Sequence, residues 1–164
     1  MEIERKFLLR AVPGGKILSV SEQQQGYFSL DPEVRFRTKQ PVEIFTLAPN
    51  GDPTFFATIK SAASTIRDEV EGQISEDFFN HMKEKINKPF ISKLQYKILH
   101  HGHVVEVSIV DKGEPTSFIY AEVEFESEAE MNKYIWPWPN ILIKEVSNDP
   151  AYYMQSYWKR TRGE

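Results

Sequence analysis

The sequence contains no cysteine. That excludes disulfides, a thiolate nucleophile and any Cys-based zinc site, and it suits a reducing compartment, so the cytoplasm is the expected location. Long apolar runs are missing too. Nothing approaches the roughly 20 residues that a membrane-spanning helix needs. The charged opening "MEIERKFLLR" lacks the apolar centre of a secretory signal. No glycine cluster precedes a Lys-Ser or Lys-Thr pair, so there is no P-loop, and any bound phosphate must be held by side chains. No nucleophile-elbow pattern is present. A positive excess is absent: 20 Lys and Arg face 24 Asp and Glu, for a net charge of −4. The molecule as a whole is therefore no polycation of the nucleic-acid-binding kind, and neither a nucleic acid nor a membrane is expected as a partner. No repeat, low-complexity tract or linker interrupts residues 1–164, which read as a single domain.

What the chain does have is alternation. In an extended strand successive side chains point to opposite faces. The opening stretch places Glu2, Glu4 and Lys6 on one face and Ile3, Arg5 and Phe7 on the other. "EVRFRTK" sets Arg35, Arg37 and Lys39 against Val34, Phe36 and Thr38. "FFATIK" groups Phe56, Thr58 and Lys60, and "IRDEVEGQI" groups Arg67, Glu69 and Glu71. "KLQYKIL" reads as a strand. "VVEVSIV" puts Glu106 and Ser108 together, and "IYAEVEFES" sets Glu122, Glu124 and Glu126 against Ala121, Val123 and Phe125. About seven antiparallel strands are predicted. "APNGDP" and "HHGH" supply hairpin turns between them. His100, His101 and His103 in the second turn have no carboxylate or Cys spacing that would make a zinc site.

Helical pieces are fewer. Ser75 is expected to cap a helix to about Asn87, with Phe78, Phe79, Met82 and Ile86 on one side. Ser127 caps a shorter one through Ile135. "DPAYYMQSYWKR" predicts a C-terminal helix with Pro150 at its first position. "WPWPN" is a rigid connection.

The fold class is therefore mainly β, an α+β arrangement. One charged row would simply face water, but here mixed charged rows recur on strand after strand while the opposite rows can carry a core. A closed barrel with helices packed outside would turn those rows into its lumen. Buried charges need partners or ligands. Arginine forks match phosphate oxygens, and carboxylates hold hard cations such as Mg²⁺ or Mn²⁺. A basic set and an acidic set in one cavity suit a metal–polyphosphate substrate.

"EIERK" matches the Glu-x-Glu-x-Lys signature of the CYTH superfamily, the triphosphate tunnel metalloenzymes. It is followed in order by "QGYF", "VRFRTK", "TIK", "RDEVE", "SKLQYKI", "AEVEFES" and "KEVSNDPAYY". Together these resemble the family's successive motifs over nearly the whole chain. The resemblance implies a closed eight-stranded antiparallel barrel acting on a triphosphate compound with Mg²⁺ or Mn²⁺. It implies that Lys6, Arg35, Arg37, Lys60, Arg67 and Lys93 bind phosphate. It gives Glu2, Glu4, Glu122 and Glu124 to metal, with Glu71 and Glu145 in support. Lys6, Arg35, Arg37 and Glu69 form the expected catalytic set, with Tyr27 orienting a group at the tunnel mouth. Ser108 stands where the family often has an aspartate, which predicts an under-liganded second metal position. An inorganic triphosphatase is the leading expectation. A thiamine triphosphatase, a class IV adenylyl cyclase and a polyphosphate- or nucleotide-binding module without turnover stay open, as does a homodimer.

Overall fold

The chain is described by a computed structural model covering residues 3–61 and 69–163. Glu2 and Arg67 lie outside the described residues. Within them, nine strands form one antiparallel sheet: β1 (Glu4–Leu9), β2 (Lys16–Leu30), β3 (Glu33–Val42), β4 (Thr54–Lys60), β5 (Glu69–Ile74), β6 (Ile91–His100), β7 (His103–Val110), β8 (Phe118–Glu124) and β9 (Leu142–Glu145). Their order is β5-β4-β3-β2-β6-β7-β8-β1-β9. The edge strands β5 and β9 are not joined by hydrogen bonds among the described residues, so the sheet has nine strands where eight were expected, and hydrogen bonding there does not close it into a barrel. Alternation sorts side chains onto faces, but it does not determine whether the outermost strands meet. Here β5 is six residues long and largely exposed, and β9 has four residues.

The sheet nevertheless curls. Arg37 on β3 lies within electrostatic reach of Glu106 on β7 and Tyr120 on β8, several strands away. One face is thus concave and charged, and the other is convex and apolar. On the convex side Phe7, Leu9, Ile98, Val105, Val107, Ala121, Val123, Phe125 and Trp136 form one buried cluster. Full burial of each large apolar side chain contributes about 1.5–3 kcal/mol.

Helix α1 (Glu76–Ile86) covers the far part of that side. It starts where expected: the Ser75 hydroxyl accepts from the Phe78 N–H at 3.1 Å, and Glu76 and Asp77 suit the positive end of the helix dipole. Asn87, in the left-handed region at φ 51°, ends it by donating to the Lys83 carbonyl. Phe79 then packs on Phe55 and edge-on against Phe90. Phe90 lies so close to β2 that a Cβ on Gly26 would sit 2.3 Å from its ring, which only glycine avoids. Helix α2 (Glu128–Lys133) is capped by Ser127. The Arg5 guanidinium closes its other end, donating to the carbonyls of Met131 and Tyr134 at 2.9 and 2.7 Å.

Helix α3 (Met154–Arg162) follows a 3-10 turn over Pro150–Tyr152 capped by Asp149. It departs from the expectation of helices outside only. Its buried Tyr157 and Trp158 pack with Tyr27 and Tyr120, which project from the concave face, and so close one end of that face. The helix is fastened by Arg162, which forks onto the Asp111 carboxylate at 2.7 and 3.2 Å while Tyr157 donates to the same group at 2.6 Å. Among the described residues no helix is long and apolar enough to cross a membrane.

Arg162→Ala would strand the buried Asp111 carboxylate without its cation, at a cost of about 3 kcal/mol. Urea denaturation of Arg162→Ala, Asp111→Ala and the double variant should show the double variant losing clearly less than the sum of the two. Strict additivity would show that this contact does not anchor α3.

Candidate active site on the concave face

Strand register assembles the site. Because β1, β8, β7 and β6 pair in sequence, Lys6, Glu122, Glu106 and Lys97 lie side by side in one cross-strand row. The next row holds Tyr120, Ser108, Gln95 and Ser21. Lys93 follows with Gln23 and Lys39, then Gln25 with Arg37 and Phe56. Tyr27, Arg35, Thr58 and Glu71 come next. The last row is Glu33, Lys60 and Glu69. Glu4 and Glu124 face each other at the opposite rim. The structure thus brings Glu4, Lys6, Tyr27, Arg35, Arg37, Lys60, Glu69, Glu71, Lys93, Glu122 and Glu124 to one face.

Glu145 is not among them. It lies on the convex side opposite Phe7, where Arg5 donates to both its carboxylate oxygens at 2.8 and 2.7 Å and Ser147 donates as well. Arg5 first, with Ser147, holds its pKa below the usual carboxylate range. A carboxylate so engaged is a clamp between β1 and β9, and it is not positioned as a metal ligand with the others.

The basic part of the face is largely buried, and its two arginines each keep one donor without a partner. The Nε atoms of Arg35 and Arg37 are enclosed without a hydrogen-bond partner. Their guanidinium groups stand 3.9 and 3.8 Å from Glu71, beyond the length of a charge-assisted hydrogen bond. Glu71 itself accepts from the Thr58 hydroxyl at 2.6 Å. Burial works against the charge on Arg35, but Tyr27 and Glu33 more than restore it. The Tyr27 hydroxyl is pushed up to about 12, mainly by burial; it lies at the closed end of the face, not at its mouth.

Lys93 is the extreme case. It is fully enclosed, and burial lowers its pKa to about 7, with Arg35, Lys6 and Arg37 adding to the effect against the pull of Glu122. Its ammonium group donates to the Tyr120 hydroxyl at 2.6 Å. Lys6, also lowered by burial, donates to the Tyr152 carbonyl at 2.6 Å and sits 4.2 Å over the Tyr120 ring.

The acidic part lies toward the rim. Glu106, Glu122 and Glu124 line a cleft of about 210 Å³ that continues to Glu126 and Glu130. Glu106 opposes Glu122 and Glu4 opposes Glu124. Like charges directly opposite destabilise a sheet, and oxygen donors in this arrangement suit a hard divalent cation. Among the described residues no three carboxylate or histidine groups converge tightly enough to hold a metal by themselves. Ser108 shares the face of Glu106 as expected, but it is buried against Tyr120 and accepts from Gln95 at 3.4 Å. Asp111 serves α3.

Sequence reasoning missed Tyr120 and the Ser21, Gln23 and Gln25 row. Tyr120 was within reach of the same period-two argument that gave Glu122 and Glu124.

Lys93 makes the empty protein pH-sensitive. Its folded pKa is below its unfolded value of about 10.4, so the unfolded chain binds more protons between about pH 7 and 10 and stability rises with pH across that window. Lys93→Met should therefore stabilise the ligand-free protein, with a gain largest near pH 6.5 and shrinking by pH 9.5 in chemical denaturation. A gain that does not change with pH would mean that Lys93 is hydrated.

No family model matches the chain. It is similar to an inorganic triphosphatase from Nitrosomonas europaea, at 29% identity over 154 residues, covering 92% of each chain. Among solved structures it is similar to the crystal structure of the inorganic triphosphatase NE1496, with a TM-score of 0.65 and 27% identity over 96% of this chain and 93% of that one. A further crystal structure, of the hypothetical protein NE1496, gives a TM-score of 0.64 at 27% identity, over 96% of this chain and 97% of the other.

Proposed function

We propose that this chain is a divalent-metal-dependent triphosphatase that hydrolyses inorganic triphosphate. One observation carries the reading: Arg35 and Arg37 present buried Nε donors without partners on the same concave face as Lys6 and Lys93. A polyanion is the ligand that supplies acceptors to such a set. The likeness to an inorganic triphosphatase over nearly the full length of both chains supports the same choice.

In this reading Arg35, Arg37, Lys6, Lys93 and Lys60 hold the phosphates in a line. Glu122, Glu124, Glu4 and Glu106 would hold Mg²⁺ or Mn²⁺ at the rim, where the metal would supply a hard Lewis acid that offsets phosphate charge. Water attacks the terminal phosphorus in line, the P–O anhydride bond breaks, and diphosphate leaves with the bonding electron pair. The arginines stabilise the charge that gathers on the equatorial oxygens, so catalysis is positioning and electrostatics without a covalent intermediate. Glu71, 3.9 and 3.8 Å from Arg35 and Arg37, keeps the guanidinium groups oriented before substrate arrives, and Glu69 stands across from Lys60.

The test is a panel of inorganic triphosphate, thiamine triphosphate and ATP with Mg²⁺, with Mn²⁺ and with EDTA. Orthophosphate release from inorganic triphosphate, abolished by EDTA, is expected. Cyclic AMP with diphosphate from ATP would reassign the chain as a cyclase, and tight binding with no product would make it a binding module. Arg35→Ala should lower kcat/KM by about 10²-fold while circular dichroism stays unchanged. Glu122→Gln should raise the metal concentration needed for half-maximal rate; an unchanged metal titration would remove Glu122 from the metal set.

A further inference from the structure

The segment from Glu145 to Tyr152 has no part in the reaction above, yet it meets Lys6 at three points. The Lys6 backbone carbonyl accepts from the Val146 N–H at 2.8 Å. The Lys6 backbone N–H donates to the Ser147 hydroxyl at 3.0 Å. The Lys6 ammonium group donates to the Tyr152 carbonyl at 2.6 Å. Strand β9 ends at Glu145, so past that point no strand continues the ladder on this edge of β1. The Ser147 side chain supplies the acceptor that a strand carbonyl would otherwise provide. Ser147 in turn donates to Glu145, and Arg5 forks onto that carboxylate at 2.8 and 2.7 Å.

The contacts form a sequence. Arg5 fixes Glu145, Glu145 orients the Ser147 hydroxyl, and the oriented hydroxyl presents a lone pair to the Lys6 N–H. Arg5 and Lys6 are neighbours on β1 and point to opposite faces, so these contacts run from the convex face to the root of a side chain on the concave one. A hydroxyl can donate and accept at once, and an aliphatic side chain can do neither. A lysine carries its charge on a flexible four-carbon stem, so placing the ammonium group needs a fixed root as well as a docked tip. The tip is docked over the Tyr120 ring at 4.2 Å. Resting on the triphosphatase reading above, we propose that Ser147 is a positioning residue for phosphate binding: held by Glu145 and Arg5, its hydroxyl fixes the backbone of Lys6 so that the ammonium group meets a phosphate oxygen of the substrate.

The experiment compares the wild type, Ser147→Ala and Ser147→Thr, and repeats Ser147→Ala in a Lys6→Met background. It reads KM and kcat for inorganic triphosphate with Mg²⁺, and Kd for triphosphate by calorimetry in EDTA, where turnover does not interfere. Ser147→Ala should raise KM and Kd about fivefold, the worth of one hydrogen bond, with kcat changed less. Ser147→Thr keeps the hydroxyl and should restore both. In the Lys6→Met background, Ser147→Ala should leave Kd where Lys6→Met alone puts it, whatever thermal unfolding records at the β1–β9 contact. If Ser147→Ala does not fold, Ser147→Cys, whose thiol is a weak donor and acceptor, replaces it and should shift Kd the same way. A wild type that neither binds nor cleaves triphosphate fails the parent reading, and this proposal with it. A folded Ser147→Ala with wild-type KM and Kd overturns the positioning role alone. A loss of affinity that persists undiminished after Lys6→Met also overturns it, since the effect would then not pass through Lys6. So does a Ser147→Thr as impaired as Ser147→Ala, since the hydroxyl would then not be the agent.

Discussion

An ammonium group taken out of water loses several kcal/mol of solvation unless other groups replace its shell. Lys93 is enclosed completely, and burial, with Arg35, Lys6 and Arg37 adding to it, lowers its pKa to about 7 against the pull of Glu122. Such a cluster persists only if the rest of the molecule compensates. The convex face does so with its apolar core, and the closed end does so with the aromatic layer of Tyr27, Tyr157 and Trp158. The curl of the sheet and the seating of α3 can both be understood as a way to hold cations at a spacing that water would not impose.

The ion pairs sort by task. Arg5 with Glu145 and Arg162 with Asp111 are forked contacts at 2.7 Å in their closest approach, and each ties a late segment of the chain to the sheet. On the concave face, Arg35 and Arg37 reach Glu71 at 3.9 and 3.8 Å, and Lys97 reaches Glu106 at 4.0 Å. Short forked pairs spend their donors on structure. Long pairs leave donors able to turn to another anion at little cost, which is what a substrate site requires.

Much of this was legible in the sequence because period-two alternation is a local property. The rows holding Arg35 and Arg37, or Glu122 and Glu124, follow from spacing alone, as do the caps at Ser75 and Ser127. Three things were not legible. Closure depends on whether β5 and β9 meet, and no local pattern encodes that. The strand β2 was hidden because "SEQQQ" is polar on both faces, so only "QGYF" marked it. Glu145 was given to metal because it ends a familiar motif, yet the register of β9 on β1 sets it opposite Phe7, on the convex side, where Arg5 claims it. Register across a short edge strand is a tertiary outcome, and one residue of slip changes the face.

The charges of the concave face could in principle cancel one another and serve only the fold. Cancellation in sum is not cancellation in place, however. Lys6 and Lys97 flank the Glu122–Glu106 pair, and Glu71 stands beside Arg35 and Arg37, yet Glu106 directly opposes Glu122 and Glu4 directly opposes Glu124, while Lys93, Arg35 and Arg37 crowd one another. A face selected for stability alone would avoid both groupings, since like charges paired across strands cost energy. Such groupings are relieved by a ligand that answers each of them: an anion that meets the crowded cations, accompanied by a cation that meets the opposed carboxylates. A metal–polyphosphate complex has that form, and a free phosphate or a free metal has only half of it.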